Sequence, residues 1–252
     1  MNRAKTYIIF IIIIHLQSNC KLIQRRVERM NQTNTWDQVD QYISECLIPH
    51  DAVLEQVLAA NQKAGLPPHD VSPNQGKLLN ILAQMQGARR VLEIGTLGGY
   101  STIWLGRALP EDGEIVTLEA NPIHAKIARS NISLAQLDGI VELREGDALE
   151  QLAQMKEERV DPFDLIFIDA DKPNNPFYLD WALRFSHPGT VIIGDNVIRE
   201  GEVVQAYSTD PRVQGVRKFY DMLAEESRIT ATAIQTVGSK GYDGFVIGIV
   251  KG

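Results

Sequence analysis

VLEIGTLGGYST, residues 91–102, is the strongest structural signal in the chain. An apolar run ends in a turn carrying Gly95, Gly98 and Gly99, and Glu93 stands two residues before the first of them. The following STIWLGRAL has helical character, so the stretch reads as strand, glycine turn and helix. Outward from it the rhythm repeats. RVLEI (90–94) and EIVTLE (114–119) are strands; a helix over 122–137 leads to VELRE (141–145), a helix over 148–158 to DLIFID (164–169), and a helix over 176–185 to TVIIGD (190–195). Strands rich in Val and Ile that alternate with helices predict an α/β fold with a mostly parallel sheet and helices on both faces. After a helix near 211–226, ITATAIQTV (229–237) and GFVIGIV (244–250), joined by GSKGYD, form a hairpin that adds an antiparallel strand at the sheet edge.

Upstream, residues 36–64 carry apolar positions at helical spacing and read as two helices broken near Pro49. VSPNQGKLLNILAQM (71–85) reads as a loop followed by a helix with Leu78, Leu79, Ile81 and Leu82 on its buried side. The 252 residues are 44% apolar with a net charge of -7, and no long linker interrupts them. We therefore assign residues 30–252 to a single domain and 1–29 to an N-terminal extension. Within that extension YIIFIIIIHL (7–16) follows Arg3 and Lys5 in the manner of a signal peptide, yet it is too short to span a bilayer as a helix. A translation start at Met30, an export or anchoring segment and an extra amphipathic arm are the three readings; the first gives a cytoplasmic protein, the second an exported or membrane-anchored one. Cys20 and Cys46 make no disulfide framework or metal cluster, which suits a reducing compartment. The acidic balance excludes broad nucleic-acid binding, which needs a basic footprint.

Ligands of such sheets bind beyond the carboxyl ends of the strands. Those ends carry Glu93 and Gly95, Glu119, Asp147, Asp169 with Asp171 and Lys172, and Asp195 with Asn196. One such carboxylate is ordinarily a helix cap, but five successive strand ends share the feature. The dinucleotide pattern G-x-G-x-x-G fails because Leu97 occupies its second glycine, and the phosphate-binding G-x-x-x-x-G-K-[ST] fails as well. An acidic residue beside the turn repels a pyrophosphate and suits a cationic ligand. S-adenosylmethionine has an ammonium, a sulfonium and ribose hydroxyls. Glu119 can accept both ribose hydroxyls, and Asp147 can meet the adenine amino group.

FIDADK (167–172) and GDN (194–196) place Asp169, Asp195 and Asn196 at neighbouring strand ends. Three oxygen ligands without His or Cys suit Mg²⁺, with Mn²⁺ or Ca²⁺ as alternatives. Such an ion binds vicinal hydroxyls and lowers their pKa. Lys172, on the same rim, is the candidate general base. The bland reading makes Asp195-Asn196 a turn and Lys172 a surface charge.

VSPNQGKLL, VLEIGTLGGYST, LEANP, REGDA, FIDADK, GDNVIREGEV and GYDGF together resemble the cation-dependent class I O-methyltransferases, the group of caffeoyl-CoA and catechol O-methyltransferases and their small bacterial relatives. The resemblance covers about residues 36–251. It implies a Rossmann-like seven-stranded sheet with one antiparallel strand. Glu93, Gly95, Ser101, Glu119, Asp147, Ala148 and Asp169 would line the cofactor pocket, with Val71 and Ser72 closing over it. Asp169, Asp195 and Asn196 would hold the metal, and Lys172 and Asp169 would be the catalytic pair. It also implies a homodimer whose N-terminal helices help the contact and shape a pocket for a phenolic acceptor, a catechol, caffeoyl ester or flavonoid.

The chain departs from that pattern in three places. Gly98 replaces a larger residue, which should loosen the turn. PNNPFY (173–178) adds two prolines and should reshape the acceptor-side loop. Ile198-Arg199 replaces an apolar-aromatic pair, and Arg199 either favours an anionic acceptor or faces solvent, the latter being preferred. His50, His69, His124 and His187 read as surface or helix-end residues, and Trp36, Trp104 and Trp181 as packing residues, with the acceptor cleft or dimer seam as the alternative for Trp36. The runner-up function is a catalytically weak S-adenosylmethionine-binding scaffold; a dehydrogenase is disfavoured by Leu97 and the acidic turn.

Overall fold

A computed structural model of the chain describes Gln32 and residues 34–252. The proposed extension 1–29, with its apolar run at 7–16 and Cys20, lies outside the described residues, as does Met30. Among the described residues no helix is long and apolar enough to cross a membrane.

Two helices, α1 (34–47) and α2 (Ala52–Lys63), precede α3 (Pro73–Gln86). The alternation then runs β1 (Arg90–Ile94), α4 (Tyr100–Gly106), β2 (Glu114–Glu119), α5 (Pro122–Leu134), β3 (Val141–Glu145), α6 (Ala148–Glu157), β4 (Phe163–Ile168), α7 (Asn175–Arg184), β5 (Ser186–Asp195), α8 (Pro211–Glu225), β6 (Ile229–Gly238) and β7 (Gly241–Val250). Short 3-10 turns occupy Lys172–Asn174 and Arg199–Val204. The helix starts are written locally. Ser72-Pro73, Asn121-Pro122 and Asp210-Pro211 each pair a side chain that accepts a backbone N–H with a proline in the first turn.

The seven strands lie in the order β3-β2-β1-β4-β5-β7-β6. The first five are parallel, and β7 runs antiparallel to both β5 and β6. The one antiparallel strand therefore sits one place in from the edge. The order reverses at β1, whose neighbours are β2 and β4, so the crevice of this sheet opens beyond Ile94 and Ile168. Alternate residues of the strands face opposite layers. Leu92 and Ile94 join Ile166, Ile168, Leu179 and Phe219 on one side. Val91 joins Leu79, Ile103, Leu105 and Phe167 on the other.

Several boundaries differ from the sequence expectation. Helix α5 stops at Leu134 because Gln136 takes a left-handed φ of 61°. Strand β5 begins at Ser186, since the chain resumes pairing with Phe163 before the Pro188-Gly189 irregularity. The final hairpin is tighter, with Gly238 paired to Gly241 across Ser239-Lys240. On α3, Ile81 is exposed, and Gly76, Leu79, Asn80 and Ala83 form the buried side instead.

Phe219 of α8 packs its ring where a Cβ on Gly194 would stand, 2.9 Å from Cζ, and so supports β5 immediately before Asp195. It is fully buried. Phe219→Ala is expected to cost about 3–5 kcal/mol in urea unfolding, the usual loss for truncating a core phenylalanine; a loss under about 1 kcal/mol, the cost of a surface change, would show that α8 does not brace this strand.

Candidate active site

The glycine turn is built on a buried carboxylate. Glu93 is fully buried and pairs in register with Thr117 of β2. Its Oε1 accepts the Ser101 hydroxyl at 2.6 Å, and Oε2 accepts Thr117 at 2.6 Å together with Thr102. Burial raises its pKa from 4.5 to about 7; the three hydroxyls oppose the rise, and the Asp169 charge adds to it. Glu93 was expected to line the cofactor pocket as a charge beside the ligand. Here it lies beneath the turn, spent on three hydroxyls. Ser101 is likewise committed to Glu93.

Gly95 has φ 105° and lies so close to β4 that a Cβ would stand 2.3 Å from the Asp169 carbonyl oxygen. Only glycine fits there. The expectation that Gly98 loosens the turn is corrected. A Cβ on Gly98 would meet the Asn61 amide of α2 at 2.1 Å, and Asn131 of α5 donates to the Gly98 carbonyl at 2.8 Å and to Asn61 Oδ1 at 2.9 Å. Gly98 admits a buried amide pair that grips the turn. Asn61 in turn donates to Asp70 at 2.8 Å, next to buried Val71 and to Ser72, the N-cap of α3. Neither Asn61 nor Asn131 carries a sequence signal, since both sit at ordinary helical positions.

Glu119, buried at the end of β2, accepts the Leu97 N–H through Oε2 and the Asn121 N–H through Oε1, both at 2.8 Å. It thereby supports Leu97 at a left-handed φ of 50°. His124, read as a surface or helix-end residue, lies 3.4 Å from Glu119 Oε1, and His187 lies 2.9 Å from Asp164. Asp147 is exposed, and its Oδ1 accepts the Leu149 and Glu150 N–H groups as the cap of α6. The helix-cap reading thus holds for Asp147, with Ala148 the first residue of α6. The Gly146 N–H donates to the Glu119 carbonyl at 2.9 Å and ties this end of the row to β2.

At the other side of the crevice, the Asp169 N–H donates to the Ile94 carbonyl at 2.9 Å. The side chain of Asp169 accepts Lys172 Nζ at 2.9 Å, and Lys172 is 7% exposed, so it is not a surface charge. Asp171 is exposed and accepts from Tyr178 and Asn174. The prolines of PNNPFY open the 3-10 turn and α7, giving compact helical turns in place of a loop. Asp195 is buried; it accepts the Asn196 N–H at 2.8 Å through Oδ1 and Gln75 Nε2 at 2.7 Å through Oδ2. Burial raises its pKa, the Asp169 charge adds to this, and Lys172 opposes it. Asn196 has a left-handed φ of 55°.

Among the described residues no group of three or more His, Cys, Asp or Glu is placed to hold a metal ion. The candidate set is two carboxylates and one amide. A hard divalent cation fits it on chemical grounds: the donors are all oxygen, and Asp195 is penalised by burial and by Asp169, which a cation would relieve. Arg199, preferred above as solvent-facing, is only partly exposed, with a side chain 23% accessible. Its Nε is buried without a hydrogen-bond partner, as are both amide atoms of Asn175 beside the Lys172 turn.

The O-methyltransferase family model matches residues 44–244. A catechol O-methyltransferase of Niastella koreensis is 50% identical over 216 residues, covering 86% of this chain and 98% of the relative. One of Mycobacterium tuberculosis is 46% identical, covering 88% and 99%. The crystal structure of an O-methyltransferase from Bacillus cereus in complex with SAH is 62% identical, with a TM-score of 0.86 over 87% of this chain and 100% of that one.

The raised pKa of Glu93 fixes a pH dependence. Below 4.5 the carboxyl is protonated in folded and unfolded chains, and above about 7 it is ionised in both. In between, the folded state keeps a proton that the unfolded chain has lost, so this group's contribution to stability falls as pH rises. Glu93→Gln should gain stability relative to the wild type across this window, by roughly 3 kcal/mol in all. Urea titrations at pH 5, 6 and 7 read the gain; two curves that stay parallel would contradict the assignment.

Proposed function

The chain belongs to the O-methyltransferase family, and from that premise we propose that it transfers a methyl group from S-adenosylmethionine to one hydroxyl of a catechol-like acceptor held at a divalent cation. The observation that carries the reading is the juxtaposition at one crevice of the gripped glycine turn with Asp169, Lys172 and Asp195. It is supported by two catechol O-methyltransferases at 50% and 46% identity and by the SAH-bound structure at 62%. SAH is what S-adenosylmethionine leaves after giving up its methyl.

When bound, the cofactor supplies the methyl group and the cation, Mg²⁺ first and Mn²⁺ or Ca²⁺ as alternatives, favours the ionised form of a vicinal diol. Val71 and Ser72 close over the cofactor beside the turn at Gly95. Glu119 accepts ribose hydroxyls in addition to the Leu97 N–H, and Asp147 and Ala148 border the adenine. Asp169, Asp195 and Asn196 hold the cation. Lys172 would accept the hydroxyl proton at Nζ, which requires its contact with Asp169 Oδ1 to open when the acceptor arrives. Alignment of acceptor oxygen and methyl carbon by two rigid strand ends supplies much of the rate.

The partner in this reading is a small phenolic acceptor, and the cysteine usage suits a cytoplasmic domain, with export or anchoring through residues 7–16 as the alternative. A second copy is the proposed protein partner: α1 leaves Val39, Tyr42 and Leu47 exposed, and edge strand β6 leaves Ile234 and Val237 exposed. Asp40 ties the two together by accepting the Ser239 N–H at 2.8 Å. Sedimentation equilibrium should give twice the chain mass; a monomer at micromolar concentration would overturn the dimer.

Methyl transfer to a panel of catechols, with Mg²⁺ and with excess EDTA, tests the reaction. Turnover should vanish with EDTA, and Lys172→Met should lower kcat by about 10²–10⁴-fold, the range of a lost general base. Turnover indifferent to EDTA would remove the cation from the reading. Bound cofactor with no turnover on any acceptor would favour the scaffold alternative.

A further inference from the structure

We propose that Gln75 is a positioning residue that holds the Asp195 carboxylate in its cation-binding orientation and couples it to the turn closing over the cofactor. The inference rests on the cation reading above. Ser72-Pro73-Asn74-Gln75 has the S-x-x-Q form in which the fourth side chain ordinarily reaches back to the backbone N–H of the first. Half of that arrangement is made, because the Gln75 N–H donates to Ser72 Oγ at 3.2 Å. The Gln75 side chain goes elsewhere. Its Nε2 donates to Asp195 Oδ2 at 2.7 Å, across 120 residues of sequence.

Asp195 depends on this contact. Its Oδ1 is taken by the N–H of its own neighbour, Asn196, and the Lys172 ammonium donates to Asp169. Gln75 is the side chain that fixes the second oxygen. A neutral amide orients a carboxylate without cancelling its charge, which stays available to a cation; a lysine in its place would compete with one. Partners of this kind behind metal ligands ordinarily tune metal affinity.

The other side of the same helical turn is anchored independently. Asn74 Nδ2 donates to Asp40 Oδ1 at 3.1 Å and to the Asp40 carbonyl at 3.3 Å, and Asn74 Oδ1 accepts the Ser44 hydroxyl at 3.2 Å. The turn that carries Val71 and Ser72 is thus held by α1 behind and by Asp195 in front. Ordering of that turn by the cofactor is felt at Asp195 through Gln75, and by linkage the cation tightens cofactor binding by the same factor.

Calorimetric titration of Mn²⁺ into the full chain, free and saturated with SAH, tests this on the wild type, Gln75→Met and Gln75→Ala, with thermal midpoints measured alongside. The wild type should bind Mn²⁺ more tightly with SAH present. Both variants should bind Mn²⁺ about 10-fold more weakly or worse, lose the SAH enhancement, and keep metal-free SAH affinity and midpoint. A folded Gln75→Met with wild-type Mn²⁺ affinity overturns the inference and leaves the cation reading standing. Mn²⁺ affinity, SAH affinity and midpoint falling together would show a merely structural residue and also overturn it. A wild type that binds no Mn²⁺ overturns both.

Discussion

The site depends on one buried carboxylate. Glu93 has no access to water, and an unsatisfied charge there would be prohibitive. Its three hydroxyl donors come from β2 (Thr117) and from the first turn of α4 (Ser101 and Thr102). Strand, neighbouring strand and following helix are therefore locked at one point, directly under the glycine turn. Thr117 also lies 2.6 Å from Thr96 within the turn, so the same cluster fixes the backbone between Gly95 and Gly98.

From that point the crevice is assembled by close backbone approach. Gly95 lets β4 come near enough for Asp169 to stand beside the turn, and the Ile94 carbonyl accepts the Asp169 N–H. Asp169 in turn engages Lys172, whose backbone is fixed against α8, where a Cβ on Gly215 would fall 2.2 Å from the Lys172 carbonyl oxygen. Phe219, on the same helix, braces β5 ahead of Asp195. In the proposed reaction the methyl donor and the acceptor would meet at positions set by neighbouring parallel strands, which are the stiffest elements available for holding an in-line geometry.

Much of this is legible in the sequence. RVLEI, EIVTLE and VELRE have the observed bounds because each is a short apolar or alternating run between turn residues. The row of strand-end carboxylates is legible for the same reason, since parallel strands bring their carboxyl ends to one edge. What each carboxylate does there is not. Glu93, Glu119 and Asp147 look alike in sequence, yet one is a buried brace, one holds Leu97 while bordering the crevice, and one caps a helix. The difference lies in partners brought by tertiary packing. Asn61 and Asn131, which grip Gly98, are 70 residues apart, and Gln75 meets Asp195 across 120. Arg199 and Asp171 fail for a related reason: exposure and partners are set by neighbours on β7 and α7 that no local pattern specifies.

In the proposed reading Asp169, Asp195 and Asn196 form one cation site next to the cofactor turn. An anomalous-difference map from a crystal of the chain grown with SAH and Mn²⁺ tests it most directly. A single strong peak is expected within about 2.0–2.6 Å of oxygens from all three side chains, the range for hard divalent cations. A well-ordered SAH with no peak there, or with Mn²⁺ bound only elsewhere, would contradict it.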